Sequence, residues 1–210
     1  MKIYSGCPKK LKARQETIIK MYRKYFSDSL PEEKQYWTMC ATHTDGDGQL
    51  LRGSELDQML RDGLITINQF HGVDIDLSII DNNSKFLPQA HWYLGDFYNT
   101  MVKNINDFNP GIVNCDHLKM PQSGGAAYVS KCLAWLSGQN GLMFISNLIL
   151  TPPRHNASCS PDEYIAELYK YPQFKYAMNH GWEYENNLYV YDGTGLESRT
   201  VLGTMVFYKL

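Results

Sequence analysis

The sequence predicts an α/β protein with a mostly parallel sheet closed by an antiparallel hairpin. Three observations lead there. Short runs rich in aromatic and β-branched residues alternate with segments whose apolar residues recur at helical spacing, the pattern of a parallel sheet with right-handed crossovers. The run NGLMFISNLIL, from Asn140, is almost continuously apolar, as a strand covered on both faces should be. The chain ends in WEYENNLYVYDGTGLESRTVLGTMVFYKL, from Trp182, two β-rich runs joined by a Gly-bearing turn, which reads as a hairpin.

Composition bounds the answer without naming a partner. The 210 residues are 43% hydrophobic and 20% charged with a net charge of −2, which suits one folded domain and excludes neither small-molecule nor polymeric partners. No uninterrupted apolar run approaches the roughly 18 residues of a membrane span, and MKIYSGCPKKLKARQ lacks a signal-peptide core, so a cytoplasmic protein without membrane contact is expected. The five cysteines, Cys7, Cys40, Cys115, Cys132 and Cys159, are widely spaced and form no C-x-x-C pair. That pattern argues against a disulfide framework or a zinc ribbon and for buried thiols. With no repeat, low-complexity tract or linker, the expected organisation is an N-terminal amphipathic helical segment over 1–32 and one globular unit over 33–210.

The elements follow in order. KKLKARQETIIKMYRKYF places Ile18, Tyr22, Tyr25 and Phe26 on one helical face, with a basic surround that could meet a phosphate backbone or simply face water. YWTMCAT is a strand that breaks into a loop. SELDQMLRDG is a helix with Ser54 as its cap, Asp57 completing a capping box and Gly63 ending it. QFHGVDID is the second strand, LSIIDNNSKF a short helix and QAHWYLGDF the third strand. YNTMVKNINDF is a helix with Met101, Val102 and Ile105 on its core side. GIVNCD, SGGAAYVSKCLAWLS, the apolar fifth strand and a helix around PDEYIAELYKY complete the series before the hairpin.

The stretch HTDGDGQLLRGSELDQML, from His43, resembles a calcium loop at first reading. With Gly48 at the sixth position, Asp45 and Asp47 fall at the third and fifth, but the first is His43 and the twelfth is Ser54 instead of Glu. Two hard oxygen ligands are missing, so no metal is expected. An acidic surface turn and a cofactor loop remain as readings. In an open parallel sheet ligands bind beyond the carboxyl ends of the strands, beside the first strand. Polar residues collect there: Gly46 and Gly48 after the first strand, Asp74 and Asp76 at the end of the second, Asp96 at the third and Asp116 at the fourth. A carboxylate closing the second strand, some 20 to 30 residues past a glycine loop, suits a ribose diol.

GVDIDLSIIDNNSKFLPQAHWYLGDF resembles the central stretch of the class I S-adenosylmethionine-dependent methyltransferases, where a strand of the type GVDIS is followed by a helix, a strand and a GD dipeptide. The resemblance covers about residues 33–210. It implies a three-layer Rossmann-like methyltransferase fold with a mostly parallel seven-stranded sheet and a C-terminal antiparallel hairpin, binding S-adenosylmethionine and S-adenosylhomocysteine. Through it Asp74 becomes the ribose acceptor, Ile75 a wall of the adenine pocket, Asp96 the acceptor for the adenine amine and Phe97 a neighbour of the ring. Gly46 and Gly48 match the later glycines of the loop under the methionine part. The family's carboxylate and first glycine are replaced by Thr42 and Thr44, and Asp45 or Asp47 is then the acid nearest the methionine ammonium.

Where an acceptor must lose a proton, NCDHL offers Asp116 and His117 beyond the fourth strand, although an exposed loop histidine is as good a description of His117. NCDHL lacks the prolines and ring of the N/D/S-P-P-Y/F motif used on flipped bases, which speaks against DNA amino methylation. The loop TPPRHNASCSPD offers Arg154 and His155 to an anionic substrate, or merely connects two elements. RNA or a small molecule is the expected acceptor. The alternatives are a methyltransferase-like binding or assembly protein without turnover and, behind it, a calcium-binding protein.

Overall fold

The computed structural model describes residues 8–45, 47–116, 123–151, 160–185, 189–192 and 201–210. The chain parts into two compact units, residues 1–114 and 115–210.

In the first unit the N-terminal segment is one helical run of three parts: α1 (Pro8–Arg14), a π-helical turn (Gln15–Ile19) and α2 (Lys20–Tyr25). It buries Ala13, Ile18, Ile19 and Tyr22. Much of its positive charge is engaged within the chain. Lys20 meets Glu16 at 2.7 Å, and Arg23 donates to the carbonyls of Asp28 and Asp62.

Strand β1 (Gln35–Met39) lies between β2 (Phe70–Asp74) and β4 (Pro110–Asp116), with β3 (His91–Leu94) outside β2; the order β3-β2-β1-β4 is parallel throughout. The order reverses at β1, the strand beside which ligands bind in an open parallel sheet. Successive side chains point to opposite faces. Tyr36 stacks on Phe70 on one face, while Trp37 stacks on His71 and Tyr93 on the other. Tyr36, Trp37 and Phe70 are fully buried, each contributing about 2 to 3 kcal/mol of hydrophobic stabilisation.

Three helices connect these strands: α3 (Glu55–Arg61), α4 (Leu77–Phe86) and α5 (Phe97–Lys103). Ser54 caps α3 as expected, its hydroxyl accepting from the Asp57 N–H at 3.1 Å. The return bond differs from a capping box: the Asp57 carboxylate accepts from Gly53 N–H, one residue before the cap. The expected core position at Ile105 is not one. α5 stops at Lys103, and Ile105 sits in a 3-10 turn (Ile105–Asp107) with 53% of its surface exposed.

The second unit contains α6 (Gly125–Leu136), β5 (Leu142–Thr151), α7 (Pro161–Leu168), α8 (Pro172–Asn179), β6 (Glu183–Tyr184), β7 (Tyr189–Asp192) and β8 (Val201–Lys209). β8 runs antiparallel to β5 along one edge and to β6 and β7 along the other, which is the closing antiparallel arrangement predicted. The run read as the hairpin's first strand enters as two pieces, and residues 186–188 between them lie outside the described residues. Helix α8 was not anticipated. Its signals are present, however: Pro172 in the first turn, with Phe174 and Ala177 three apart and fully buried.

Among the described residues no helix is long and apolar enough to cross a membrane.

Candidate functional site

The carboxyl ends of β2 and β3 bring together two of the predicted carboxylates. Asp74 is the last residue of β2 and pairs across the ladder with Leu94, and the carbonyl of Asp74 accepts from Gly95 N–H at 2.9 Å. Asp96 therefore follows within two residues of the position opposite Asp74. Asp74 is half-buried, and burial pushes its carboxyl up, a shift opposed by the backbone N–H groups of Asp76 and Ile75. One of its oxygens, Oδ1, accepts from Asp76 N–H at 2.8 Å.

The next two carboxylates cap helices. Asp76 accepts from the backbone and hydroxyl of Ser78 at the start of α4, and these bonds hold its carboxyl below the usual range. Asp96 accepts from Asn99 N–H at 2.9 Å at the start of α5 and is itself exposed. Beside them Ile75 is 81% exposed and Leu94 53% exposed. A large apolar side chain left open next to a carboxylate is what an adenine ring would cover. Phe97, the first residue of α5, is buried, whereas Leu94, which the sequence reading did not single out, is exposed. Its signal was the two-residue alternation along β3, which sets Leu94 on the same face as Trp92.

The loop after β1 is held from outside. Ala41 carbonyl accepts from Asn83 Nδ2 and His43 N–H donates to Asn83 Oδ1, both at 3.0 Å, while Asn82 donates to the Thr44 hydroxyl. Beyond Thr44 the chain turns back on itself through a Thr44–Leu50 bridge and a bond from Leu51 N–H to His43 carbonyl. Asp45 Oδ1 accepts from the N–H groups of Asp47 and Gln49, so this carboxylate oxygen organises its own turn. Gly48 has φ +79°, and a Cβ there would lie 2.4 Å from the Phe86 ring. Turn conformation and close packing on α4 account for that glycine. Thr42 is half-buried, and Gly46 lies outside the described residues.

A buried polar cluster stands behind the loop. Glu55 Oε1 accepts from Tyr36 hydroxyl at 2.8 Å and Asn114 Nδ2 at 3.0 Å, and its Oε2 lies 3.6 Å from Arg14 Nε. Burial pushes the Glu55 carboxyl up, but Arg14 and the hydrogen bonds from Thr38 and Asn114 outweigh it and leave it below its ordinary value. His43 is 3% exposed, and neither ring nitrogen has a hydrogen-bond partner. Burial lowers its pKa to about 4, so the ring is neutral at pH 7.

Asp116 ends β4 and is half-buried, whereas His117, Arg154 and His155 lie outside the described residues.

No model of a known protein family matches the chain, and no curated protein matches it. Solved structures do. DesVI of Streptomyces venezuelae is similar over 99% of this chain and 95% of its own, with 13% identity and a TM-score of 0.50. Fibrillarin of Aeropyrum pernix, solved with natively bound S-adenosyl-L-methionine, is similar over 84% of this chain and 68% of its own at 12% identity and a TM-score of 0.44. A TehB-like S-adenosylmethionine-dependent methyltransferase of Corynebacterium glutamicum is similar over 96% and 93% at 14% identity and a TM-score of 0.41. The chain has the Rossmann-like fold of the class I S-adenosylmethionine-dependent methyltransferases. At such identities likeness speaks for the fold alone.

Proposed function

We propose that the protein is an S-adenosylmethionine-dependent methyltransferase acting on RNA or a small molecule. The observation that carries this reading is Asp74, a carboxylate closing β2, with Ile75 beside it 81% exposed. A carboxylate accepts both hydroxyls of a ribose, Ile75 and Leu94 provide an apolar wall for adenine, and the exposed Asp96 accepts from the adenine amine. These residues fit the nucleoside half of the cofactor. Thr42 and Gly48, with Gly46, are assigned to the loop toward the methionine half.

Bound at this site, the cofactor supplies an electrophilic methyl group. The chain's part is to hold the acceptor in line with it and exclude water, and positioning alone supplies much of the rate. Asp116 and His117 are the groups we assign to take a proton from an acceptor that must lose one.

Calorimetric titration of the native chain and Asp74→Ala with S-adenosylhomocysteine tests the reading. Micromolar binding that weakens at least tenfold in the variant, about 1.4 kcal/mol, is the expected result. No heat from the native chain at millimolar ligand would overturn it.

Thr42 and Thr44, together with the engagement of Asp45 in its own turn, favour a second reading, a binding protein without turnover. It predicts that the native chain binds neither S-adenosylmethionine nor S-adenosylhomocysteine, so the same titration separates the two readings. The same engagement of Asp45 weighs against calcium as the loop's ligand.

A further inference from the structure

We propose that Asn83, aided by Asn82, is a positioning residue for the ligand site, setting the backbone of residues 41–44 in the conformation that receives the cofactor. The inference rests on the function proposed above and extends it to residues outside the loop itself.

A loop that must approach a ligand closely needs a defined backbone, and glycine usually permits the unusual dihedrals involved. Residues 41–44 read Ala-Thr-His-Thr, and among the described residues no non-glycine residue has a positive φ. The segment therefore takes ordinary dihedrals, and something else must select one conformation among the many they allow. The carboxamide of Asn83 does this. Its side chain is fully buried and uses both ends of the amide: Nδ2 donates to Ala41 carbonyl and Oδ1 accepts from His43 N–H. These two groups flank Thr42 and together fix its peptide neighbours. Asn82 adds a bond to the Thr44 hydroxyl one residue further on.

The placement of the two asparagines has a second effect. Both lie on α4, the helix that starts immediately after Asp74, Ile75 and its own cap Asp76. One rigid helix thus begins at the nucleoside end of the proposed site and clamps the loop assigned to the methionine end. Gly48, packed against Phe86 at the last turn of α4, is a third tie between the loop and this helix. A carboxylate in place of the amide keeps the acceptor for His43 N–H but loses the donor to Ala41. A leucine loses both.

The test uses the full chain with Asn83→Leu, Asn83→Asp and Asn82→Ala, and Leu30→Ala as a destabilised control away from the loop. S-adenosylhomocysteine affinity is measured by calorimetry at a temperature where each variant is fully folded, and amide exchange at His43 is followed without ligand. The expected result is at least a tenfold loss of affinity and faster His43 exchange in Asn83→Leu. Smaller losses are expected in Asn83→Asp and Asn82→Ala, and native affinity in Leu30→Ala. If the Asn83 variants bind as the native chain does, or if Leu30→Ala loses affinity in proportion to its lowered melting temperature, the positioning role is overturned. Should Asn83→Leu not fold, Asn82→Ala decides: native affinity with unchanged exchange overturns the proposal. Failure of the function reading shows differently, as an absence of binding by the native chain.

Discussion

His43 and His71 are the two side chains whose titration the fold alters most usefully. Burial lowers His43 to about 4, and burial together with the charge of neighbouring His91 lowers His71 to about 3. In the unfolded chain both titrate near 6.5. Between those values the unfolded state binds more protons than the folded one, so the stability present above about pH 6.5 is lost as pH falls toward 4 and then 3. From pH 7 to pH 5 each imidazole should remove about 2 kcal/mol, read as a falling denaturation midpoint. The histidines differ in one respect. His71 Nδ1 lies 3.1 Å from Tyr93 hydroxyl, whereas both His43 nitrogens lack partners. His43→Phe should therefore flatten the pH slope with little loss of stability at pH 7, since no existing bond is broken. Glu55→Leu should behave oppositely and cost about 3 to 5 kcal/mol, because Arg14 is left without its carboxylate partner and Tyr36 and Asn114 lose their acceptor.

At the scale of elements the loop from His43 to Leu51 shows what the sequence could and could not display. Its failure as a calcium loop was visible in the spacing, because His43 and Ser54 are the wrong residues at fixed positions. Its tertiary ties were not visible. The reading of Gly48 as a cofactor glycine competed with an interaction 38 residues away, the Phe86 ring, which no local pattern announces. Gly48→Ala should cost about 1 to 3 kcal/mol through its left-handed backbone and the contact with Phe86. Adding Phe86→Ala should return only the steric part, so a thermal-melting double-mutant cycle would show positive but incomplete rescue. α4 was legible from Leu77 to Phe86 because a cap residue and apolar spacing agree there. α5 was overextended to Ile105 because helical spacing continued past the point where Asn104 ends the helix. The burial of Phe97 was illegible for a related reason: adjacency to Asp96 in sequence says nothing about which way the first helical side chain points.

Across the whole molecule the alternation of strands and helices was the most legible feature, since it depends on periodicities that repeat in every segment. The parallel pairing of β1 to β4 follows from it, whereas the antiparallel closure on β8 was read from the two β-rich runs with which the alternation ends. The buried cluster of Arg14, Glu55, Tyr36 and Asn114 was illegible, as its members lie up to a hundred residues apart. Ligand linkage offers a molecule-level prediction: S-adenosylhomocysteine at a hundredfold its dissociation constant should stabilise the native chain by about 2.7 kcal/mol, and Asp74→Ala, binding tenfold more weakly, by only about 1.4 kcal/mol, so its melting temperature rises about half as far. The π-helical turn between α1 and α2 carries a consequence of its own. Such a turn holds one residue more than an α-helical turn, and Arg14 stands immediately before it. Deleting a single residue between 15 and 19 would restore regular pitch there and leave the residues on either side of the turn close to their present phase. Ile19 and Tyr22 would keep their seats, and the Arg14 guanidinium would stay on the side of the helix that meets Glu55. The extra residue is therefore one the helix can lose with both its hydrophobic seam and the buried Arg14–Glu55 ion pair in place.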